Sequence, residues 1–488
     1  MPKGSDLHSH ISGAIPTERL IEWGAADGAC FDPMTGYASL PPCTATAIPI
    51  SMAAKDAMLR DAMLKAWSME GFSGTLLEGH QHFFDAFEKF GAIETADRLD
   101  DMIAEVLSIA GANHQTHVEL LQGFGSTTIG SLAETKLMPD DAWDETYLLA
   151  KRGELLADPS FVTAVEDAKT TIANALTGAR TLLACGTPAA APGCDVEVRM
   201  LVSANRTKSR EFVFGQWVFG FELAQVVPEV VGVNLVSPEE HPNSLLHYDD
   251  EMAAAGVLHL LDDQDPSRKP VHVSLHAGEL IPEVLPMTEA GQAELTYHIR
   301  SAVDLARAER IGHGVDVLGE TMGDGPTDLL ADMAERGVMV ELGLSSNDAL
   351  LAIAGKAHPY GAYLKSEVPV APATDDQGIL RIDITREYVR VVEEHGADYL
   401  TLKRLARTSL EHSFLSGASL WKVRDDFTAK VDACANDTPG TAPSSACSAF
   451  LEANDKARVQ WRHETDVAAF EQTTASSSAT AAGSRAPR

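Results

Sequence analysis

The stretch VHVSLHAGE, residues 271–279, carries the clearest fold signal in this chain of 488 residues. A strongly apolar, β-branched run leads directly into His276, and Glu279 follows three residues later. Ala277 and Gly278, which lie between them, are small and leave space beside the histidine. The segment therefore predicts a β-strand whose carboxyl end carries two polar side chains next to open space.

Seven similar β-branched runs occur elsewhere in the chain and are separated by longer helical patterns. They cover residues 5–11, 116–123, 194–204, 230–237, 310–318, 338–346 and 368–376. Strands that alternate with helices indicate parallel βα units. Eight such units predict a (β/α)8 TIM-type barrel of the α/β class.

The remaining segments fit around one barrel domain that covers residues 1–471. Residues 24–75 are rich in Pro, Cys and Thr and then become helical, which predicts an insertion after the first strand. Residues 430–471 predict a loop and a last helix at about 448–471, so extra helical structure follows the barrel. Residues 472–488 have low complexity and predict a disordered tail.

The composition excludes a nucleic-acid partner, and the sequence contains no transmembrane helix. The chain has 38 basic and 71 acidic residues, which gives a formal net charge of −33. Nucleic-acid binding needs a basic surface, so a nucleic-acid partner is excluded, whereas a neutral small molecule is compatible with this charge. No apolar run reaches the roughly 18 residues of a transmembrane helix. The sequence leaves the oligomeric state open, with a homodimer as one option.

The six cysteines fall into three local pairs. These are Cys30 with Cys43, Cys185 with Cys194, and Cys434 with Cys447. Local pairing favours small disulfide-closed loops and an oxidising compartment. Six unrelated reduced thiols are the alternative, and composition alone does not decide between the two.

Four short elements carry metal-binding or acid–base side chains at the ends of predicted strands. In chain order they are His8 with His10, His276 with Glu279, His313 between two glycines, and Asp375 with Asp376. Residues two apart in a strand face the same side, so His8 and His10 can reach one metal ion. Each element alone also has a structural interpretation, such as a core histidine or a helix-capping glutamate.

Taken together, the four elements favour a catalytic site. They follow predicted strands one, five, six and eight, and active sites of such barrels lie at the carboxyl ends of the strands. Three histidines and one carboxylate can hold zinc and leave a position open for water. The other polar side chains of the set would then serve as acid–base or binding groups.

The motifs H-x-H, H-A-G-E, G-H-G and T-D-D, in this order, resemble the adenosine deaminase branch of the metal-dependent amidohydrolases. The opening MPKGSDLHSHISGA, the insertion that contains Cys30 and Cys43, and the cysteine-bearing C-terminal helix look closest to one group of that branch. This group comprises the secreted adenosine-deaminase-related growth factors and their bacterial relatives. The resemblance covers nearly the whole chain up to about residue 471.

The resemblance implies a zinc-dependent hydrolytic deamination of adenosine, and of 2′-deoxyadenosine, to inosine and ammonia. It implies one zinc ion per chain, held by His8, His10, His276 and Asp375. Glu279 would donate a proton to N1 of the purine, and His313 would be the base that takes the water proton and stabilises the hydroxide. Asp376 would hydrogen-bond to N7, and a backbone group near Ser237 would touch the base.

The sequence departs from the family pattern on the side of the site that would hold the sugar. Ser12 stands where many members have an aspartate that contacts the ribose, and Ser237-Pro238-Glu239 replaces a G-D-E or G-H-E turn. His10, Ser12, Ser237 and Asp376 are therefore the expected substrate-binding residues, while the exact sugar is open.

Two alternatives to adenosine deamination follow from these departures and from the resemblance. The same chemistry could act on adenine, a modified nucleoside or a nucleotide, whose phosphate Arg206, Lys208 and Arg210 could bind. A different class of function is a non-catalytic extracellular binding protein, similar to a growth factor, on the same fold. Loss of a metal ligand or of Glu279 would have indicated that class, and all of these residues are present.

The first strand lies so close to residue 1 that the native N-terminus is in question. The resembling proteins have a segment before M-P-K-G, and the exported ones carry a signal peptide ahead of that segment. We therefore expect Met1 to be an internal methionine of a longer, exported precursor, with the three cysteine pairs as disulfides. If no such segment exists, we expect a cytoplasmic enzyme.

Overall fold

A computed structural model describes residues 1–138 and 142–483, and eight parallel strands form its centre. Strands β1–β8 are Gly4–His10, Gln115–Gln122, Glu197–Asn205, Val230–Val236, His272–Ala277, Arg310–His313, Met339–Leu342 and Val370–Pro372. They are hydrogen-bonded in chain order from β1 to β8. All eight strands expected from the sequence are therefore confirmed.

The segment after β8 returns to β1 and closes the sheet into a barrel. The backbone N–H of Asp375 donates to the carbonyl of His8 at 2.9 Å, and the N–H of His10 donates to the carbonyl of Asp375 at 3.1 Å. Ser9 and Asp375 form a parallel bridge. The predicted TIM-type (β/α)8 architecture is thus confirmed, and its closing seam joins two of the expected site segments.

Helices surround the barrel. In the first half of the chain they are α1 (Thr17–Ala26), α2 (Ala57–Trp67), α3 (Leu76–Phe90), α4 (Leu99–Ala112), α5 (Ser126–Lys136), α6 (Glu145–Leu156), α7 (Pro159–Leu182), α8 (Arg210–Val226) and α9 (Pro242–Gln264). Helix α3 begins with a capping box, in which Thr75 and Glu78 each accept a hydrogen bond from the other's backbone N–H. Helix α8 is apolar on nearly all sides because it packs against α5, α9, β3 and β4.

The second half of the chain continues the same alternation and then adds helices. These are α10 (Glu289–Ala293), α11 (His298–Asp304), α12 (Pro326–Arg336), α13 (Leu344–Leu351), α14 (Tyr360–Lys365), α15 (Gln377–Leu380), α16 (Ile384–His395), α17 (Tyr399–Glu411), α18 (Ser445–Ala453) and α19 (Asp455–Gly483). Within the described residues, no α-helix combines the length and the apolar character that crossing a membrane requires.

The expected insertion at residues 24–75 includes a small antiparallel sheet between α1 and α2. Its three strands are Cys30–Phe31, Ala38–Ser39 and Ile48–Pro49. The indole N–H of Trp67 donates to the carbonyl of Gly36 at 2.8 Å, and its ring packs edge-on against Phe31. These contacts connect the small sheet to α2.

All six cysteines form disulfides in the pairs that the sequence indicated. The bonds are Cys30–Cys43, Cys185–Cys194 and Cys434–Cys447. The last of them belongs to a separate apolar cluster after the barrel, which also contains Leu420, Trp421, Leu451 and Trp461. Disulfides therefore connect residues in the insertion, between α7 and β3, and in the C-terminal part of the chain.

The C-terminal end differs from the sequence expectation. Two helices, α18 and α19, replace the single helix predicted at about 448–471, and α19 continues to Gly483. The hydroxyls of Thr473 and Thr474 donate to the carbonyls of Ala469 and Phe470 at 2.9 Å, so these polar residues are accommodated within the helix. Helix α19 thus enters the segment 472–488 for which disorder is predicted, and residues 484–488 lie outside the described part of the chain.

Candidate active site

The site residues expected from the sequence lie together at the carboxyl ends of the barrel strands. His8 and His10 belong to β1, and His276 belongs to β5. His313 ends β6, and Asp375 follows β8 at the seam that closes the barrel. Because parallel strands end at one edge of the sheet, residues far apart in the chain meet here.

Four side-chain atoms converge on one point. Nε2 of His276 lies 3.0 Å from Nε2 of His8 and 3.1 Å from Nε2 of His10. Oδ1 of Asp375 lies 3.4 Å from Nε2 of His8 and 3.3 Å from Nε2 of His10. A tetrahedron of nitrogen and oxygen ligands around zinc, with bonds of about 2.0–2.1 Å, has edges of about 3.3–3.4 Å. The observed separations therefore fit four side-chain ligands around one metal ion of the size of zinc.

In two of these histidines, the ring nitrogen that is not at the centre, Nδ1, lies next to a hydrogen-bond acceptor. Nδ1 of His8 lies 2.6 Å from Oε2 of Glu341, and Nδ1 of His276 lies 2.9 Å from Oδ1 of Asn234. The Asn234 amide is oriented by its other end, because Nδ2 donates to the carbonyl of Ser274 at 2.7 Å. Each Nδ1 therefore carries the proton, and each Nε2 offers a lone pair to the centre, as in histidines that bind metals.

Glu341 is itself held by buried partners. Oε1 of Glu341 lies 2.6 Å from Nε of Arg310 and accepts a hydrogen bond from the Ser274 hydroxyl at 2.8 Å. Arg310 also pairs with Glu119 at 2.6 Å. Although burial raises the pKa of Glu341, the Arg310 charge and the hydrogen bond from His8 outweigh it, so the pKa is lowered. A carboxylate that remains ionised therefore orients His8.

The charges around the centre favour a bound cation. Burial lowers the pKa of His10 and of His276, so both are neutral near pH 7. Hydrogen bonds with His10 and His8 outweigh the effect of burial on Asp375 and hold the pKa of its carboxyl well below the usual range. Hydrogen bonds with Asp375 and Glu341 likewise outweigh burial at His8 and raise its pKa to about 10. A bound metal ion would replace the proton on Nε2 of His8. The two neutral imidazoles, that histidine and the anionic carboxylate then match the donors of a divalent metal.

His313 is an alternative third histidine ligand, since one of its ring nitrogens lies within 4.8 Å of ligand atoms of His8, His276 and Asp375. His10 fits better because its Nε2 makes direct contacts of 3.1 and 3.3 Å with two members of the set. Nδ1 of His313 is instead 3.0 Å from Nδ2 of Asn347. The geometry thus favours His10 as the ligand and leaves His313 beside the metal position.

Two further carboxyl groups face the same space. Burial and the nearby negative charge of Asp375 raise the pKa of Glu279 well above its usual value. The same two causes raise the pKa of Asp376. Oε1 of Glu279 lies 3.6 Å from Nδ1 of His313. The site therefore combines one carboxylate whose pKa is lowered with two carboxyl groups whose surroundings favour the protonated form.

The backbone is held in an uncommon conformation at three site residues. His313, Asp375 and Ser237 have φ angles of 69°, 58° and 83°, in the region that favours glycine. Such strain is concentrated at functional sites, where surrounding contacts fix it. Glycine is required nearby, because a Cβ on Gly13 would lie 1.6 Å from Oδ1 of Asp376. The S-G pair after the second histidine therefore gives Asp376 room.

A cavity of about 500 Å³ opens above the metal position. Its floor includes His10, His276, Glu279, His313, Asp375 and Asp376. Ser12 and Ser237, expected as substrate-binding residues, both line it. One wall is apolar and consists of Phe83, Phe84 and Phe87 of α3, together with Leu350. Within the described residues, no Lys or Arg lines this cavity.

Arg206, Lys208 and Arg210, which the nucleotide alternative offered as phosphate contacts, do not line the cavity. Arg206 is 0% exposed and donates to the carbonyls of Ser237 and His276 at 2.6 and 3.1 Å. Arg210 pairs with Asp250 at 2.5 Å and stacks on a tryptophan. Their positive charges are engaged inside the fold, so these arginines support the walls of the site.

Glu239 supports the loop that carries Glu279. Its two carboxylate oxygens accept hydrogen bonds from the backbone N–H groups of Gly278 and Glu279 at 3.1 and 2.9 Å. Nδ1 of His298 lies 2.6 Å from Oε1 of Glu239. In the sequence, Glu239 was notable only as part of the Ser237-Pro238-Glu239 turn, which departs from the family pattern.

Several supporting residues were missed by sequence reasoning. They are Asn234, Glu341, Asn347, His358, Arg310 and His298. Asn234 and Glu341 did carry a signal, because each is a polar residue within an otherwise apolar predicted strand and needs a buried partner. Asn347 and His358 lie outside the strands, and their neighbours become apparent only in three dimensions.

A sequence profile for adenosine deaminase matches residues 154–430, which is more than half of the chain. The adenosine deaminase of Escherichia coli O1:K1 / APEC is 28% identical over 182 residues, which cover 37% of this chain and 49% of that protein. The chain thus spans about half of the length of the curated relatives it matches. The profile match includes His276, Glu279, His313 and Asp375.

Solved structures share the fold. An adenine deaminase from Arthrobacter aurescens has a TM-score of 0.53 at 17% identity, covering 85% of this chain and 95% of that chain. An amidohydrolase from Burkholderia ambifaria, solved with bound Zn, has a TM-score of 0.51 at 16% identity, with coverages of 85% and 86%. Arabidopsis ADAL complexed with IMP has a TM-score of 0.50 at 16% identity, with coverages of 85% and 92%.

Proposed function

This chain belongs to the adenosine deaminase family, and on that premise we propose that it is a zinc-dependent hydrolase that converts adenosine, and 2′-deoxyadenosine, to inosine and ammonia. The observation that carries the proposal is the convergence of three Nε2 atoms and one carboxylate oxygen beside Glu279, a buried carboxyl group whose pKa is raised well above its usual value. A metal site and a proton donor are the two parts that hydrolytic deamination of a purine needs.

Zinc is the proposed metal, at one ion per chain, with His8, His10, His276 and Asp375 as its ligands. Nitrogen and oxygen donors at tetrahedral separations suit zinc, and a structural neighbour was solved with bound Zn. When bound, zinc would lower the pKa of a water molecule to about 7 and so make a nucleophile available at neutral pH.

Glu279 is the proposed proton donor to N1 of the purine. Attack of water at C6 interrupts the aromatic ring, and N1 must gain a proton as the adjacent carbon becomes tetrahedral. A carboxyl group can supply that proton only while it is protonated, and burial and the nearby charge of Asp375 favour this form of Glu279. The amino group on C6 then takes up the proton of the new C6 hydroxyl, the bond between C6 and this nitrogen breaks, and ammonia leaves the purine of inosine with an oxygen on C6.

Asp376 is proposed to hold the purine by its other nitrogen, N7. N7 has a lone pair and accepts hydrogen bonds, so its partner must carry a proton. The raised pKa of Asp376 and the absence of a hydrogen-bond partner at its Oδ1 within the described residues fit this role. His313 lies beside Glu279 and is proposed to contact the attacking water, either as the base or as a hydrogen-bond donor.

A nucleoside is the preferred substrate over a nucleotide. The cavity volume of about 500 Å³ lies in the range of small-molecule sites. A phosphate group would need a positive partner, and the described lining offers neither Lys nor Arg. Ser12 and Ser237 are proposed to face the sugar and the base, and free adenine is the second candidate because sugar contacts differ from the family pattern.

The protein is proposed to act in an oxidising compartment after export. The supporting observation is that all six cysteines form disulfides. Such bonds persist outside the reducing cytosol. Thiol titration of the denatured, unreduced protein from its native host should find essentially no free thiols, whereas six free thiols per chain would contradict export.

The proposed activity can be tested with one substrate panel. Zinc-loaded protein is incubated with adenosine, 2′-deoxyadenosine, adenine and AMP, and ammonia release is measured. The proposal expects the two nucleosides to be deaminated faster than AMP. A protein that holds zinc but releases no ammonia from any of them would favour the non-catalytic binding function instead.

A further inference from the structure

Three buried side chains, of which His313 is the first, form a hydrogen-bonded chain that ends at a backbone amide. The side chains are His313, Asn347 and His358, which are 2%, 0% and 4% exposed. Asn347 lies in α13, and His358 lies just before α14. Their contacts determine which nitrogen of His313 carries its proton.

The order of donors and acceptors begins at Tyr360, whose backbone N–H can only donate. It donates to Nδ1 of His358 at 3.2 Å, so this nitrogen carries no proton. Burial lowers the pKa of His358 to about 3, which keeps the ring neutral. The single ring proton of His358 is therefore on Nε2.

The next two contacts follow from this assignment. Nε2 of His358 lies 3.0 Å from Oδ1 of Asn347, and the N–H donates to that oxygen. The other end of the amide, Nδ2, then faces Nδ1 of His313 at 3.0 Å and donates to it. Because Nδ1 of His313 accepts this hydrogen bond, the proton of its ring is on Nε2.

We infer that Asn347 and His358 are positioning residues, which hold His313 as the Nε2–H tautomer so that it donates a hydrogen bond to the attacking oxygen. This inference rests on the proposed deaminase function and deepens it. Nδ1 of His313 accepts from Asn347 and lies 3.6 Å from Oε1 of Glu279, so Nε2 is the nitrogen left for the attacking oxygen. An N–H there stabilises negative charge on oxygen. It cannot take the water's proton, which passes to solvent instead.

The first test reads the tautomer directly and needs no substrate. Zinc-loaded protein containing 15N-labelled histidine is studied by long-range 1H–15N correlation NMR, and the His313 signals are identified by their loss in His313→Gln. The inference expects a protonated Nε2 and an unprotonated Nδ1. A proton on Nδ1 of His313 would overturn it, whatever substrate the enzyme acts on.

The second test reverses the tautomer with one isosteric change. In Asn347→Asp the carboxylate accepts where the amide donated, so His313 must carry its proton on Nδ1. A wrong histidine tautomer lowers kcat by about 10⁴-fold in serine proteases, and we expect a loss of about 10³–10⁴-fold here, with zinc content and KM little changed.

The opposite result is equally informative. If His313 were the base, the carboxylate introduced by Asn347→Asp would form the carboxylate–histidine pair that supports a base, and this variant would retain or gain activity. That outcome would overturn the inference while leaving the deaminase function intact. His358→Gln supplies a rescue control, since its amide can still donate to Asn347, and it should lose far less activity than His358→Leu. Equal losses in the two variants would also contradict the inference.

Should the substituted proteins fail to fold, as judged by circular dichroism and zinc content, the NMR measurement on the unchanged protein still decides the tautomer. An unchanged protein that deaminates no purine would refute the proposed function instead. The two failures are therefore distinguishable.

Discussion

His276 and His313 each contact an asparagine through Nδ1, but the two amides face them with opposite ends. Asn234 presents its oxygen to His276, because its nitrogen is bound to the Ser274 carbonyl. Asn347 presents its nitrogen to His313, because its oxygen is bound to His358. The same pair of residue types thus gives one histidine a free Nε2 lone pair and the other an Nε2 proton.

The comparison shows that the role of a site histidine is set by groups outside the site. A backbone carbonyl fixes the first amide, and the backbone N–H of Tyr360 fixes the second through His358. His8 follows the pattern of His276, with Glu341 as the acceptor at its Nδ1. Histidines whose Nδ1 meets an acceptor face the metal position with a lone pair, and the one whose Nδ1 meets a donor does not.

Among changes to the two histidines and their neighbours, removal of a metal ligand is expected to have the largest effect. His276→Ala deletes the nitrogen that contacts both His8 and His10, so we expect loss of bound zinc and of deaminase activity together. Zinc content by atomic absorption and ammonia release measure the two effects. His247→Ala, on α9 outside the cluster, is the matched control and should keep both. Full zinc occupancy in His276→Ala would refute the ligand assignment.

The acid next to His313 is expected to give the next largest effect. Glu279→Gln keeps the shape of the side chain but removes the transferable proton. General acid–base groups contribute about 10²–10⁴-fold, and we expect turnover to fall by that factor with zinc retained. Turnover numbers at saturating adenosine, together with zinc content, provide the check. Near-normal turnover would mean that another group protonates N1.

A substitution at the first amide sharpens the contrast with the second. Asn234→Asp keeps an acceptor next to Nδ1 of His276, so the tautomer of His276 is preserved. Only the hydrogen bond from Asn234 to the Ser274 carbonyl is lost. Mutation of residues that orient a metal ligand typically lowers metal affinity or activity by about 10–100-fold. We expect a loss in this range, smaller than that of Asn347→Asp. Equal losses in the two variants would show that the direction of the amide is unimportant.

The smallest effect is expected on the sugar side. Ser12 lines the cavity and is shorter than the aspartate of many family members. Ser12→Asp should change the ratio of activities on adenosine, 2′-deoxyadenosine and adenine by several-fold, because only the first two carry a sugar. Parallel kcat/KM measurements on the three substrates test this. An unchanged ratio would show that Ser12 lies away from the sugar.

The sequence predicted the barrel, and the meeting of its polar motifs at one edge, because these depend on local patterns. Eight apolar runs, four of which end in polar motifs, specify the strands, and the short separations within the cysteine pairs indicated which cysteines could pair. The sequence also shows glycines next to site residues. Gly312 is one of them, and it is required because a Cβ at this position would lie 2.7 Å from Cε1 of His8.

The parts that could not be predicted depend on contacts between distant segments. The meeting of His313, Asn347 and His358 requires β6, α13 and the loop before α14 to be in place. Arg206 belongs to a basic segment that reads as a surface loop, yet it is 0% exposed because carbonyls of Ser237 and His276 accept its hydrogen bonds. Charge in a sequence does not reveal which way a side chain points.

Removal and return of the metal tests the central claim most directly. The protein is treated with a chelator, dialysed and assayed for ammonia release from adenosine before and after one equivalent of zinc is added. The account predicts that the metal-free protein is inactive and that one zinc per chain restores activity. Full turnover in the metal-free protein, or no ammonia from the zinc-loaded protein, would contradict it.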